Sequence, residues 1–311
     1  MLTDRLPFVL PEFMRISWVS DTAREVWEPR LQRIRRAWAE LEWLTVLSGF
    51  RHGAIIHLPF DDYVTTSRRW VDAGLYSVPL SERSAVLAVA VGSQAAVASI
   101  HEAWHGRDRK LCNSRDDRAI GKILNYPPCC ISFFDRCWNG LGVTDTTWLM
   151  ATGGETFSER DIEISGPAEA NMILRPLGVR PVFHLPCTST CSETVETARL
   201  IREIGRINGF ESEMDWCNEI LSWSAEWSAL HGIAEIKTPI LRIVTQTDAT
   251  AKKLLIRHVG TTIPDEAGRG LSFPYRTIPP EVARCGGAVP VDLVLRPSSA
   301  GGSFTEAGYS P

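Results

Sequence analysis

The chain predicts an α/β fold with a mostly parallel or mixed sheet, flanking helices and an N-terminal helical extension, and three patterns carry that prediction. Trp27, Leu31, Ile34, Trp38, Leu41 and Leu44 recur every three or four residues across 23–48, the stripe of an amphipathic helix. Residues 54–58, interrupted by His57, and 85–91 are apolar runs of strand length, each followed by a helical pattern, over 63–73 and 93–105. Strand and helix alternate again in the second half, and unbroken apolar strands signal a sheet covered on both faces.

Taken in order, Pro29 is expected to divide the first helix or to mark its true start, because proline fits only a first turn. Ser93 is placed to cap the 93–105 helix. Asp61-Asp62 and Asp116-Asp117 read as helix caps, and 150–167, with its glycines and charges, reads as a loop. A strand is expected over 179–185, then a helix over 190–208 that starts at a Thr190/Glu193 capping box and stops at Gly209. A further helix over 213–229 would carry Trp216, Ile220, Trp223 and Trp227 on one side, ahead of strands at 240–244 and 253–257. The organisation expected is an N-terminal helical segment (1–50), an α/β domain (51–285) and a short strand with a flexible tail (286–311).

With 311 residues the chain can bury a full core, so a metal or disulfide is not needed merely to hold it folded. A net charge of −4 gives no basic footprint, and nucleic acid is not expected as a partner. Arg30, Arg33, Arg35 and Arg36 read as the solvated side of a helix. No apolar run approaches the ~18 residues of a membrane span, and no secretory signal is visible behind Met1. A cytoplasmic location is therefore expected. In that compartment eight cysteines point to metal binding or catalysis wherever they cluster.

They cluster twice. Cys129 and Cys130 follow Pro127-Pro128, and Cys187 and Cys191 follow Pro186, each pair at the predicted start of a helix. Proline pre-sets the first turn, and a helix N-terminus favours thiolate, which is both the nucleophile and the metal ligand. If the two helix starts converge, Cys129 or Cys130 comes within metal-bridging reach of Cys187 or Cys191, with His184 closing the loop side. The Cys-Cys and Cys-x-x-x-Cys units do not match the paired Cys-x-x-Cys of zinc ribbons. An iron–sulfur cluster is the expected cofactor, with mononuclear zinc or iron as the alternative. Cys112, Cys137, Cys217 and Cys285 are assigned to packing.

Two further groups compete for chemistry. His101-Glu102-Ala103-Trp104-His105 matches His-Glu-x-x-His on a helix, but Gly106-Arg107-Asp108 breaks the metalloprotease pattern at once. His231 and Glu235 stand four apart beside a glycine at a strand entrance, as candidates for ligation or proton transfer.

Three blocks, 121–130, 184–191 and 231–239, resemble a family of bacterial and archaeal proteins with no reaction attached. Its pattern is Gly-x-Leu-Leu-x-Tyr-Pro-x-Cys-Cys, then Pro-Cys with a second cysteine, then His-Gly-x-x-Glu ahead of Thr-Pro. Asn125 stands at a variable position where glycine is expected, and Ile123 where leucine is common. The resemblance covers about 85–275 and implies that the three blocks form one site. The function expected is a metalloenzyme acting on a small-molecule substrate, with Cys129, Cys130, Cys187 and Cys191 holding the cofactor and His184, His231 and Glu235 beside it. A metal-free thiol enzyme and a non-catalytic module with a structural metal are the alternatives.

Overall fold

The computed structural model describes residues 10–81, 86–105, 115–154, 159–248 and 252–264. Strand β1 (Met14–Trp18) leads through Ser20 into α1 (Asp21–Leu47), and the Ser20 hydroxyl caps that helix by accepting the Ala23 N–H at 3.1 Å. The helix passes through Pro29 without a break, so the proline neither divides the stripe nor starts it. One hydrogen bond is lost there, and burial of Trp27 and Leu31 on either side offsets it.

A three-stranded sheet follows, built from β2 (Gly53–Pro59), β3 (Tyr76–Ser81) and β4 (Val86–Gly92) in the order β2-β4-β3. Helix α2 (Tyr63–Asp72) precedes β3, and α3 (Gln94–His105) follows β4. Both pairings are antiparallel, so this half does not have the parallel arrangement that its strand-helix alternation implied. The apolar run of β4 has a different cause. Leu87, Val89 and Val91 face one core with Trp70, while Ala88 and Ala90 face another with Val97 and Ile100. A central strand buried on both faces reads as continuously apolar whatever its direction.

The larger sheet is mixed, in the order β1-β8-β7-β6-β9-β5. Its strands after β1 are β5 (Asp161–Ser165), β6 (Ala225–Leu230), β7 (Ile233–Lys237), β8 (Leu241–Gln246) and β9 (Leu254–Val259). Among the strands of the described residues, β5 and β9 alone pair in parallel. Strand β1 edges this sheet against β8, and α1 shares its core with α7 (Ser192–Ile207) and α8 (Glu211–Leu221).

Three local expectations are corrected. The helix expected over 213–229 stops at Leu221, and β6 takes over, with Ala225, Trp227 and Ala229 buried at period two. Residues 179–185 form no strand but an irregular segment that bends over 181–184, although Val179 and Val182 are fully buried. The end of α6 (Thr147–Ala151) and strand β5 occupy part of the expected 150–167 loop. Among the described residues no helix is long and apolar enough to cross a membrane. Cys112, Cys285 and the tail lie outside the described residues.

Candidate metal centre

Two short segments build the centre, and each is fixed by backbone chemistry before its thiols are considered. Asp116 caps α4 (Asp117–Ile123) by accepting the Ala119 N–H at 2.9 Å. The helix closes in a Schellman turn, with Asn125 N–H donating to Lys122 O at 3.0 Å and Tyr126 N–H to Gly121 O at 2.9 Å. Asn125 is the left-handed residue of that turn, at φ 56°, and its side-chain amide donates to Phe50 O at 2.9 Å. Glycine or asparagine is what this backbone accepts, which accounts for the asparagine at this position. Pro127 and Pro128 then open α5 (Pro128–Phe134), putting Cys129 and Cys130 in its first turn. The bare Cα of Gly121 lets α4 lie against Ile131 of α5, where a Cβ would come within 2.9 Å.

The second segment is clamped from α1. Phe183 packs edge-on against Trp38 at 5.0 Å, with the guanidinium groups of Arg51 and Arg180 at 4.6 and 5.7 Å from its ring. Both arginines pair with Glu42, at 3.2 and 3.1 Å. Further on, Ser189 lies over Gly166, just past the carboxyl end of β5; a Cβ on Gly166 would come within 2.4 Å of Ser189 O. The cysteine loop therefore sits beside the parallel β5–β9 pair. Helix α7 begins at Ser192 with Cys191 as its cap residue, so the Thr190/Glu193 capping box is not formed.

These two segments bring the four thiols together. Sγ of Cys129 lies 3.8 Å from Cys130 and 3.7 Å from Cys191, and Cys130 lies 3.8 Å from Cys191. With Cys187 included, all four sulfurs fall within 4.8 Å of one another. Cys130 and Cys191 are buried, whereas Cys129 and Cys187 are half-buried. Four soft donors converging from two segments can hold a metal.

Without a cation the centre disfavours ionisation. Burial pushes the Cys129 thiol up to about 12 and raises Cys130 and Cys187 as well. Only Cys191 shifts down: burial opposes its thiolate, and hydrogen bonds from Thr194, then from Cys187 and Cys129, together outweigh that. The expectation that helix starts alone would favour thiolate therefore holds at one of the four. Desolvation wins at the others.

His184 lies behind the thiols, not among them. Its Nε2 is 2.9 Å from Thr194 Oγ1, which is 3.4 Å from Cys130 Sγ. Burial and then the Arg51 charge push its pKa down to about 3, so the ring is neutral. Thr194 was not singled out from the sequence, although it stands three residues after Cys191, on the same helix face.

The other candidates fall elsewhere. His231 is exposed at the β6–β7 turn, and Glu235 on β7 pairs with Arg242 and, at 3.9 Å, with Lys237. Neither joins the four-thiol group. The His101 and His105 rings lie 4.4 Å apart, tilted by 55°, on the exposed side of α3, and among the described residues no third ligand atom gathers with them. Cys137 and Cys217 are core residues, as assigned. No protein-family model, no curated protein and no solved structure matches the chain.

Proposed function

We propose that this protein is a metal-binding module in which Cys129, Cys130, Cys187 and Cys191 hold one thiophilic ion, zinc or iron, as a cross-link between the α4–α5 corner and the start of α7. The observation that carries this reading is the sulfur spacing. A metal–sulfur bond of about 2.3 Å gives a tetrahedron with edges of about 3.8 Å, and three of the Sγ pairs stand at 3.7–3.8 Å. An iron–sulfur cluster interposes several irons and bridging sulfides, which spreads its thiolates further apart. The spacing favours a single ion over the cluster expected from the sequence.

Four thiolates complete a tetrahedral shell and leave no open position for substrate, which supports a structural ion over a metalloenzyme. Of the four, Cys191 alone is shifted toward thiolate, and it is buried, so a metal-free thiol enzyme would have its one activated nucleophile shielded from substrate. An ion would supply the positive charge that lets all four ionise.

Anaerobic purification with metal analysis and an absorbance spectrum tests the reading. The expected result is one zinc or iron per chain without acid-labile sulfide. Brown protein with labile sulfide would replace the single ion by a cluster. Metal-free protein with one rapidly alkylated cysteine would overturn metal binding.

A further inference from the structure

Behind Cys130 lies a buried polar chain that the four-thiol reading does not use. Thr194 is fully buried and His184 is 5% exposed, so water does not compete for their hydrogen bonds. Tyr126 packs against the imidazole at 5.3 Å, and its hydroxyl donates to Phe183 O at 3.4 Å, so the ring is held from the α5 side as well.

We infer that Thr194 and His184 form a hydrogen-bonded relay that orients and stabilises the Cys130 thiolate in the loaded centre; this rests on the metal site proposed above. A metal-bound thiolate can only accept. In the loaded centre the Thr194 hydroxyl therefore gives its one proton to Cys130 Sγ across 3.4 Å, leaving the Thr194 backbone N–H to Cys191, and its oxygen accepts the Nε2–H of His184 across 2.9 Å. That direction leaves His184 Nδ1 bare, and Nδ1 is the ring nitrogen that is buried without a hydrogen-bond partner. Groups that hold a ligand in this way change metal affinity by about 10–100-fold.

Cobalt(II) reports both the ion and the thiolates. Wild type and Thr194→Val, each loaded with cobalt, should both show tetrahedral thiolate spectra. The variant should bind about 10–100-fold more weakly by chelator competition, with its thiolate-to-cobalt charge-transfer band moved to lower energy, because the lost hydrogen bond raises the sulfur donor level. Thr194→Ser should restore both readouts, which a purely packing role for the methyl group would not allow. A Thr194→Val protein with wild-type affinity and spectrum overturns the relay and leaves the metal site standing; wild type that binds no cobalt overturns both. A measurement without any variant covers the case in which Thr194→Val fails to fold. In wild type loaded with cadmium-113, a slowly exchanging Thr194 hydroxyl proton should show coupling to the metal through Sγ, and a loaded centre lacking that proton signal overturns the relay.

Discussion

The cysteine corner and the β6–β7–β8 hairpins both gather polar residues beside proline or glycine, and they use them in opposite ways. At the hairpins each polar residue completes local structure. His231 and Gly232 have φ of 51° and 82° between the paired Leu230 and Ile233, the two-residue type I′ turn. Thr238 exchanges backbone and side-chain hydrogen bonds with Leu241 to close the next turn, and Glu235 is neutralised by Arg242 and Lys237. At the corner, the backbone is satisfied by caps and a Schellman turn, and four thiols are left facing one another. Chemistry is marked by donors that converge after the backbone has been satisfied, and turn residues by themselves do not show it.

The largest expected effect separates the two regions directly. Cys130→Ala and Cys191→Ala should each reduce metal from one ion per chain to near none, whereas His231→Asn should retain it in full. With free ion a thousandfold above Kd, the loaded wild type should unfold about 4 kcal/mol above the chelator-treated protein. Full metal content in either cysteine variant would separate the two thiol pairs.

A pH experiment sharpens the same contrast. In the metal-free chain Cys129, Cys130 and Cys187 have thiols raised above their unfolded range. Their contribution to stability is complete below about pH 8.5 and is lost as the pH rises through the folded values, about 12 for Cys129. Urea unfolding of metal-free protein at pH 7 and pH 10 should show that loss, and loaded protein should not. Toward acid the dependence reverses, because protons compete for the thiolates and the ion should leave.

Two smaller effects bound the comparison. Gly166→Ala must displace the loop at Ser189, so it should cost about 1–3 kcal/mol and weaken metal binding in a chelator competition. His231→Val should cost about 1–2 kcal/mol, since a β-branched residue resists positive φ, with metal content unchanged. Metal loss in that variant would tie the hairpin to the site after all.

Much of the helical structure was legible. The α1 stripe, the stop of α7 at Gly209 and the cap at Asp116 all rest on contacts within a few residues. Trp216, Ile220, Trp223 and Trp227 kept helical spacing through a real break, because the period-two pattern of Ala225, Trp227 and Ala229 overlaps it. The β1, β3 and β5 strands left weak signals; they are short and half-exposed.

By itself the sequence determined which residues could ligate, where most helices begin and end, and that a strand such as β4 must be buried on both faces. Those properties depend on side-chain type and on neighbours one turn away. Only the tertiary structure decided strand direction, the meeting of Cys129 and Cys130 with Cys187 and Cys191, the placing of His184 and Thr194 behind them, and the exclusion of His231 and Glu235. Each of these is a contact between residues far apart in the chain, and no local pattern encodes it.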